Sequence, residues 1–457
     1  GVQVANAIGI ANASNALSQL TLNANTLTLG STISSGNFLN TTIGSAKGSL
    51  SDSDILYSVS GSDLTLNNGI SYVLNSTGLT ELIGSINTTN GNITYNNTTL
   101  LIASSSSLNT NTSGNVTFNS AIAGNGGAAF TINAAGDVTF NGGTGSGLSS
   151  LTVNGAGSTI LNANIGTDNG QTYNNAVRLG ANLTLTGTDI AFNSTLNSAD
   201  STARNLAVNA SGTTTFNSVG GTFALNTLTT DSAGTTVLSG TNTMRVAGAI
   251  NLADAVQLNT TSGNNYTVNS TGGSVTFGST INGVSADTSG LVVQSSGTVT
   301  LGGNVGATNR LTSLNIQSGS GLQINGTSIN TLNNQTYAVP ATLGNSVTFT
   351  AGGNITFSGA INGNGNNITL NNTGSASITS LSGSGTILTK NGSGALTLAG
   401  ANTYTGGTIL NAGTTTITSD SNLGNVSGAL TMNGGTLATN TTMTLNSSRG
   451  VTLGASG

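Results

Sequence analysis

Apolar and polar residues alternate along almost the whole chain. Val, Ile, Leu, Phe or Tyr takes every second position over short runs, Thr, Ser or Asn fills the positions between, and Gly or Asn breaks each run. A period of two sends alternate side chains to opposite faces of a strand. The richest stretch, Lys390 to Leu423, holds three such alternations: Leu396 to Leu398, Thr408 to Leu410 and Thr416 to Thr418. Its rhythm is strand and turn, with no helix in it.

The alternation recurs as a short unit, Gly-(Asn or Asp)-(Val or Ile)-Thr-Phe. It reads GNVTF at Gly114 to Phe118, GDVTF at Gly136 to Phe140, GSVTF at Gly273 to Phe277 and GNITF at Gly353 to Phe357. Weaker copies begin at Gly91, Gly212 and Gly297. Gly114 and Gly136 stand 22 positions apart, a length that suits one three-strand coil of a solenoid. A longer period lies over the short one. Leu148 opens LSSLTV and Leu311 opens LTSLNI, 163 positions apart; the triplets Gln171 to Tyr173 and Gln335 to Tyr337 are 164 apart. A middle copy from Leu225 lacks the Gln-Thr-Tyr triplet, and together the copies define a super-repeat of about 80 residues.

These repeats predict an all-β chain, a parallel β-helix (β-solenoid) of roughly 20 coils wound into a single elongated rod on the order of 100 Å long. Three parts are expected: looser solenoid coils over 1–108, the repetitive solenoid over 109–382, and further coils over 383–457. A tandem of immunoglobulin-like sandwiches is disfavoured, because such modules run near 100 residues and carry a core Trp or disulfide. This chain has neither Trp nor Cys. Gly and Asn at the breaks tolerate the positive φ of tight corners.

Composition then narrows the function. Among 457 residues there are 7 Lys+Arg, 12 Asp+Glu and no His, a formal net charge of -5. Charged residues are 4 %, against roughly a quarter in ordinary domains. Seven scattered cations supply no basic patch for nucleic acid or for an anionic membrane. Stacked like charges one strand spacing apart would repel along a solenoid, whereas stacked Thr and Asn form hydrogen-bonded ladders. Hydrophobic residues at 35 %, evenly spaced, argue for a core rather than disorder.

Catalysis has few candidates. Asp52 and Asp54 share one face of a strand if SDSD is extended, with Asp63 a possible third oxygen ligand for calcium; the plain reading is a solvated polar loop. The other acids (Glu81, Asp137, Asp168, Asp189, Asp200, Asp231, Asp254, Asp287, Asp420) are dispersed. Without His, Cys or Trp there is no imidazole base, thiolate, conventional zinc site or Trp platform for sugars. Tyr173, Tyr337 and Tyr404 recur at repeat positions and read as stacked core or corner residues. No catalytic, cofactor-binding or metal-ligating residue is expected, and no cofactor.

The residues Gly394, Leu396, Leu398, Gly400, Asn402 to Thr408 (NTYTGGT), Gly413 and Thr414 resemble the passenger-associated transport repeat of bacterial autotransporter adhesins. From Gly114 to about Ser382, the order of SLTV, QTYN, VxLG and NITF blocks is similar to filamentous-haemagglutinin-like surface adhesins. The resemblance implies a right-handed parallel β-helix carried outside the cell after export through an outer-membrane pore. The expected function is a non-enzymatic, extracellular adhesin stalk on a bacterial cell surface or in a biofilm matrix. Expected partners are a host or neighbouring cell surface, glycans or matrix, and no nucleic acid. The alternative is a subunit that stacks end to end into an extracellular filament. Gly1 to Gly30 lacks a basic n-region and an apolar h-region, and RGVTLGASG ends in mid-pattern, so the expectation is a mature or excised piece.

Overall fold

The computed structural model describes residues 79–454 except 83, 89, 97, 98, 103 and 146. Before residue 79 it describes only short strand backbones between Val2–Val4 and Ser71–Asn75, and side chains are described from residue 82 on, with 99 and 101 excepted. The chain is all-β, with about 17 parallel coils forming a β-solenoid. Among the described residues the helical exception is a 3₁₀ turn, Asp420–Leu423. It falls at the end of a stretch expected to hold no helix. Its cause is local: Asn422 Oδ1 accepts the backbone N–H groups of Thr418 at 2.7 Å and Ser419 at 3.0 Å and so closes the turn.

Two compact units divide the chain, Gly1–Leu225 and Asn226–Gly457. In the first, equivalent residues of successive coils pair in parallel register: Ile93 with Val116 with Val138, and Tyr95 with Phe118 with Phe140. Their alternate side chains point inward and are buried, each contributing about 1.5–3 kcal/mol when fully removed from water. Rings in one column stack face to face, Tyr95 on Phe118 at 5.5 Å and Phe118 on Phe140 at 5.1 Å between centroids. Strands before residue 79 pair in parallel too, as Leu27 does with Tyr57.

The second unit repeats the scheme. Val275, Val299, Leu322, Ala341, Ile361 and Leu381 form one inward column. The copy that lacks Gln-Thr-Tyr stays in register, with Leu228 beside Ile250 and Thr236 beside Val256. Val275–Phe277 and Ile355–Phe357 lie in different sheets. The Val-Thr-Phe unit therefore marks a strand that follows a corner, not one fixed face.

The first two residues of that unit make the corner. Asn92 Oδ1 accepts the N–H of Asn115 at 2.7 Å, Asn115 Oδ1 that of Asp137 at 2.8 Å, and Asp137 Oδ1 that of Ser158 at 2.7 Å. Each side chain thus caps a backbone donor of the next coil, which the turn would otherwise leave unpaired. The preceding Gly114 sits at φ 117°, and a Cβ there would collide with the Gly91 carbonyl of the coil beneath.

Candidate functional site

The acids disperse in space as they do in sequence. Asp52, Asp54 and Asp63 lie outside the described residues. Asp287 takes a two-point ion pair from Arg310 at 2.6 and 2.7 Å, and Asp420 takes one from Arg449 at 2.7 and 2.9 Å. These guanidinium hydrogen bonds hold both carboxyls below the usual carboxylate range. Asp200 faces Arg204 at 3.6 Å, Asp137 and Asp189 cap corner N–H groups, and Asp168 is exposed. Asp254 is buried, and burial raises its pKa against hydroxyl donors from Thr230 at 2.7 Å and Thr236 at 2.9 Å. Among the described residues no three acids gather into a metal-sized group.

The recurrent tyrosines are interior residues. Tyr173 and Tyr337 are fully buried, and burial pushes both phenols upward. Tyr173 donates to Gln171 Oε1 at 2.9 Å, and Gln171 Nε2 donates to the carbonyls of Ile165 at 3.1 Å and Thr186 at 2.9 Å. Tyr337 donates to Gln335 Oε1 at 3.0 Å, and Gln335 Nε2 to the carbonyls of Ile329 at 3.2 Å and Thr350 at 2.8 Å. The triplet is an internal bracket that satisfies backbone oxygens facing the core.

The corner at 402–408 ties three coils together. Asn402 Oδ1 accepts the Leu381 N–H of the coil beneath at 2.6 Å, and its Nδ2 donates to the Asn422 carbonyl of the coil above at 2.5 Å. Thr405 Oγ1 accepts the Gly385 N–H at 2.8 Å. Inside the corner, buried Tyr404 hydrogen-bonds Thr408 Oγ1 at 2.5 Å, and burial pushes its pKa up to about 12. Gly406 has no room for a Cβ against the carbonyls of Gly385 and Thr386, while Gly407 sits at φ 99° against the Ala429 carbonyl. Each letter of NTYTGGT except Thr403 answers to a neighbour in this geometry.

That corner can be compared with known families. Residues 388–417 match the passenger-associated-transport-repeat. The match includes the whole stretch Gly394 to Thr415 singled out by its motifs, and an autotransporter passenger-like solenoid fits it. Neither a curated protein nor a solved structure matches the chain significantly.

The outer surface carries two amide patterns, one of them in strands that the five-letter unit does not cover. The strands of one face of the first unit read Ser/Thr, apolar, Asn: Ser85 to Asn87, Ser107 to Asn109, Thr131 to Asn133, Thr152 to Asn154 and Thr172 to Asn174. Their outward carboxamides form an unbroken ladder. Asn109 donates to Asn87 at 2.7 Å, Asn133 to Asn109 at 2.6 Å, Asn154 to Asn133 at 2.8 Å, Asn174 to Asn154 at 2.6 Å and Asn193 to Asn174 at 2.7 Å. A second ladder runs Asn162 to Asn141 to Asn119 to Asn96. Stacked amides had been expected, but not where they stand. For the second ladder the signal is the Asn that follows Thr-Phe in NVTFN and DVTFN, Asn119 and Asn141; for the first it is the recurring Ser/Thr-apolar-Asn triplet.

Proposed function

We propose that this chain is a stalk segment of an exported bacterial surface adhesin, presented outside the cell after passage through an outer-membrane pore. The passenger-repeat match at 388–417 carries the reading. It is supported by a solenoid whose outward faces are built from hydroxyls and carboxamides, with few charges, so that many weak neutral contacts replace a single strong site. The attachment surface acts by geometry and hydrogen bonding rather than by turnover. The test is surface labelling: antibody raised against this chain decorates intact, unpermeabilised cells of the source bacterium, and deletion of the segment lowers their attachment to a surface or to neighbouring cells. Labelling only after permeabilisation, or unchanged attachment, refutes it.

A further inference from the structure

We propose that a cleft on the first unit, where the Asn ladder meets the corners after Thr110, Ala134 and Gly155, is a subsite for an uncharged glycan. This rests on the surface-attachment reading and names the ligand class. The cleft measures about 330 Å³, at the lower end of small-molecule sites. Its cause is a mismatch of corner lengths. Thr110, Ala134 and Gly155 stack in register. The chain then takes three exposed residues, 111–113, before Gly114, but only Ala135 before Gly136 and only Ala156 before Gly157. The long corner stands over two short ones and leaves a step. The floor is held low, because a Cβ on Gly155, at φ 138°, would collide with the Ala134 carbonyl.

The lining suits a sugar ring. Ala135 and Ala156 offer apolar contact, and Asn133 and Asn154 stand beside them. A carboxamide has two N–H donors and two acceptor lone pairs. Within the ladder each of these two residues donates once and accepts once, so each keeps a donor and an acceptor for a vicinal hydroxyl pair. No charged side chain lines the cleft, which leaves a uronate, sulfate or phosphate without a counter-charge.

The ladder is also more than the fold requires. The second unit builds matching coils with Gln317, Ala338 and Ser358 where the first has Asn154, Asn174 and Asn193. An amide row that the interior does not demand, next to a cleft of the right chemistry, is what a binding track provides.

The experiment probes the full chain with an array of neutral glycans, followed by calorimetry with neutral hexasaccharides such as cellohexaose and maltohexaose, and with hexagalacturonate as the acidic control. The expected result is binding of a neutral glycan that Ala156→Arg, which fills the cleft from its exposed rim, weakens at least about tenfold. Thr215→Arg, on the same face but away from the cleft, leaves affinity within about twofold. Thermal melts by circular dichroism show that both variants are folded. No neutral glycan bound, binding of hexagalacturonate alone, or binding indifferent to Ala156→Arg overturns the subsite. Beads coated with either protein separate this from the broader reading. Equal attachment of wild type and Ala156→Arg beads to cells removes the subsite and leaves the adhesin, whereas glycan binding without bead attachment removes the adhesin and leaves the subsite.

Discussion

Gln171 and Gln335 stand 164 positions apart, in different units, and perform one task. Below each lies a leucine, Leu151 or Leu314; above each lies an isoleucine, Ile190 or Ile355. Beside each bracket an aromatic pair stacks, Tyr173 on Phe192 at 5.5 Å and Tyr337 on Phe357 at 4.5 Å. One residue further along, the two regions part. Asn174 continues an amide ladder in the first unit, whereas at the matching position of the second Ala338 ends an amide row begun by Gln294 and Gln317. The second unit's own ladder, Asn433 to Asn411 to Asn391, stands in a different column. Inward positions answer to packing and to buried carbonyls, so they repeat. Outward positions answer to something else, so they drift.

The sharpest way to break this comparison is to remove the brackets. Gln171→Ala and Gln335→Ala each leave a buried phenol without its acceptor, remove two side-chain hydrogen bonds to backbone carbonyls and open a cavity, so each is expected to lower stability by about 3 kcal/mol. Urea unfolding followed by circular dichroism reads both, and effects that differ by more than about 1 kcal/mol would show that the copies are not equivalent.

Lys390 tests the rule that inward positions are apolar. It lies in a column between Leu370 and Leu410, fully buried, with its ammonium donating to the Gly392 carbonyl. Burial lowers its pKa from 10.5 to about 8. Because the folded state binds the proton less tightly than the unfolded one, stability rises as pH climbs from about 8 to 10.5 and is lower throughout below 8. Melting temperatures across that window check the sign. Lys390→Met flattens the profile and adds about 1–3 kcal/mol at neutral pH.

Tyr173→Phe and Tyr337→Phe remove one buried hydrogen bond each while keeping the ring stack, and each costs about 1 kcal/mol. A loss comparable to that of the Gln variants would place the bracket's strength in the phenol instead. Smallest is Asn174→Ala, which copies the second unit's residue into the first. Its effect on unfolding is expected to stay within about 0.5 kcal/mol, and a larger loss would mean that the ladder is structural after all.

The architecture was legible because alternation and Gly-Asn corners are imposed by local geometry. GNVTF announced a corner followed by a strand, and both are found, but its Asn works by capping the next coil rather than by a positive φ, which Gly114 alone supplies. The recurrence of the Gln-Thr-Tyr triplet 164 positions on located the brackets, but a polar Gln does not advertise an inward position until its neighbours Leu151 and Ile190 are seen below and above it. The second ladder is hidden when the repeat is cut at Phe, one residue before Asn119 and Asn141, and the long ladder lies in other strands, such as Thr131 to Asn133, that the five-letter unit does not cover. The cleft could not be read at all. It depends on one long corner meeting two short ones in adjacent coils, a relation between residues more than 20 positions apart.

Hydrogen-bonded partners in the long ladder stand 19 to 24 positions apart, so each lap of that ladder grips the laps on either side. Force applied to such a thread has no single knot to undo. One lap can peel away and release about 20 residues, on the order of 70 Å of slack, while laps farther along stay wound. Within each unit the molecule can therefore lengthen under shear and rewind when the load passes, as a tether does and a compact globule does not.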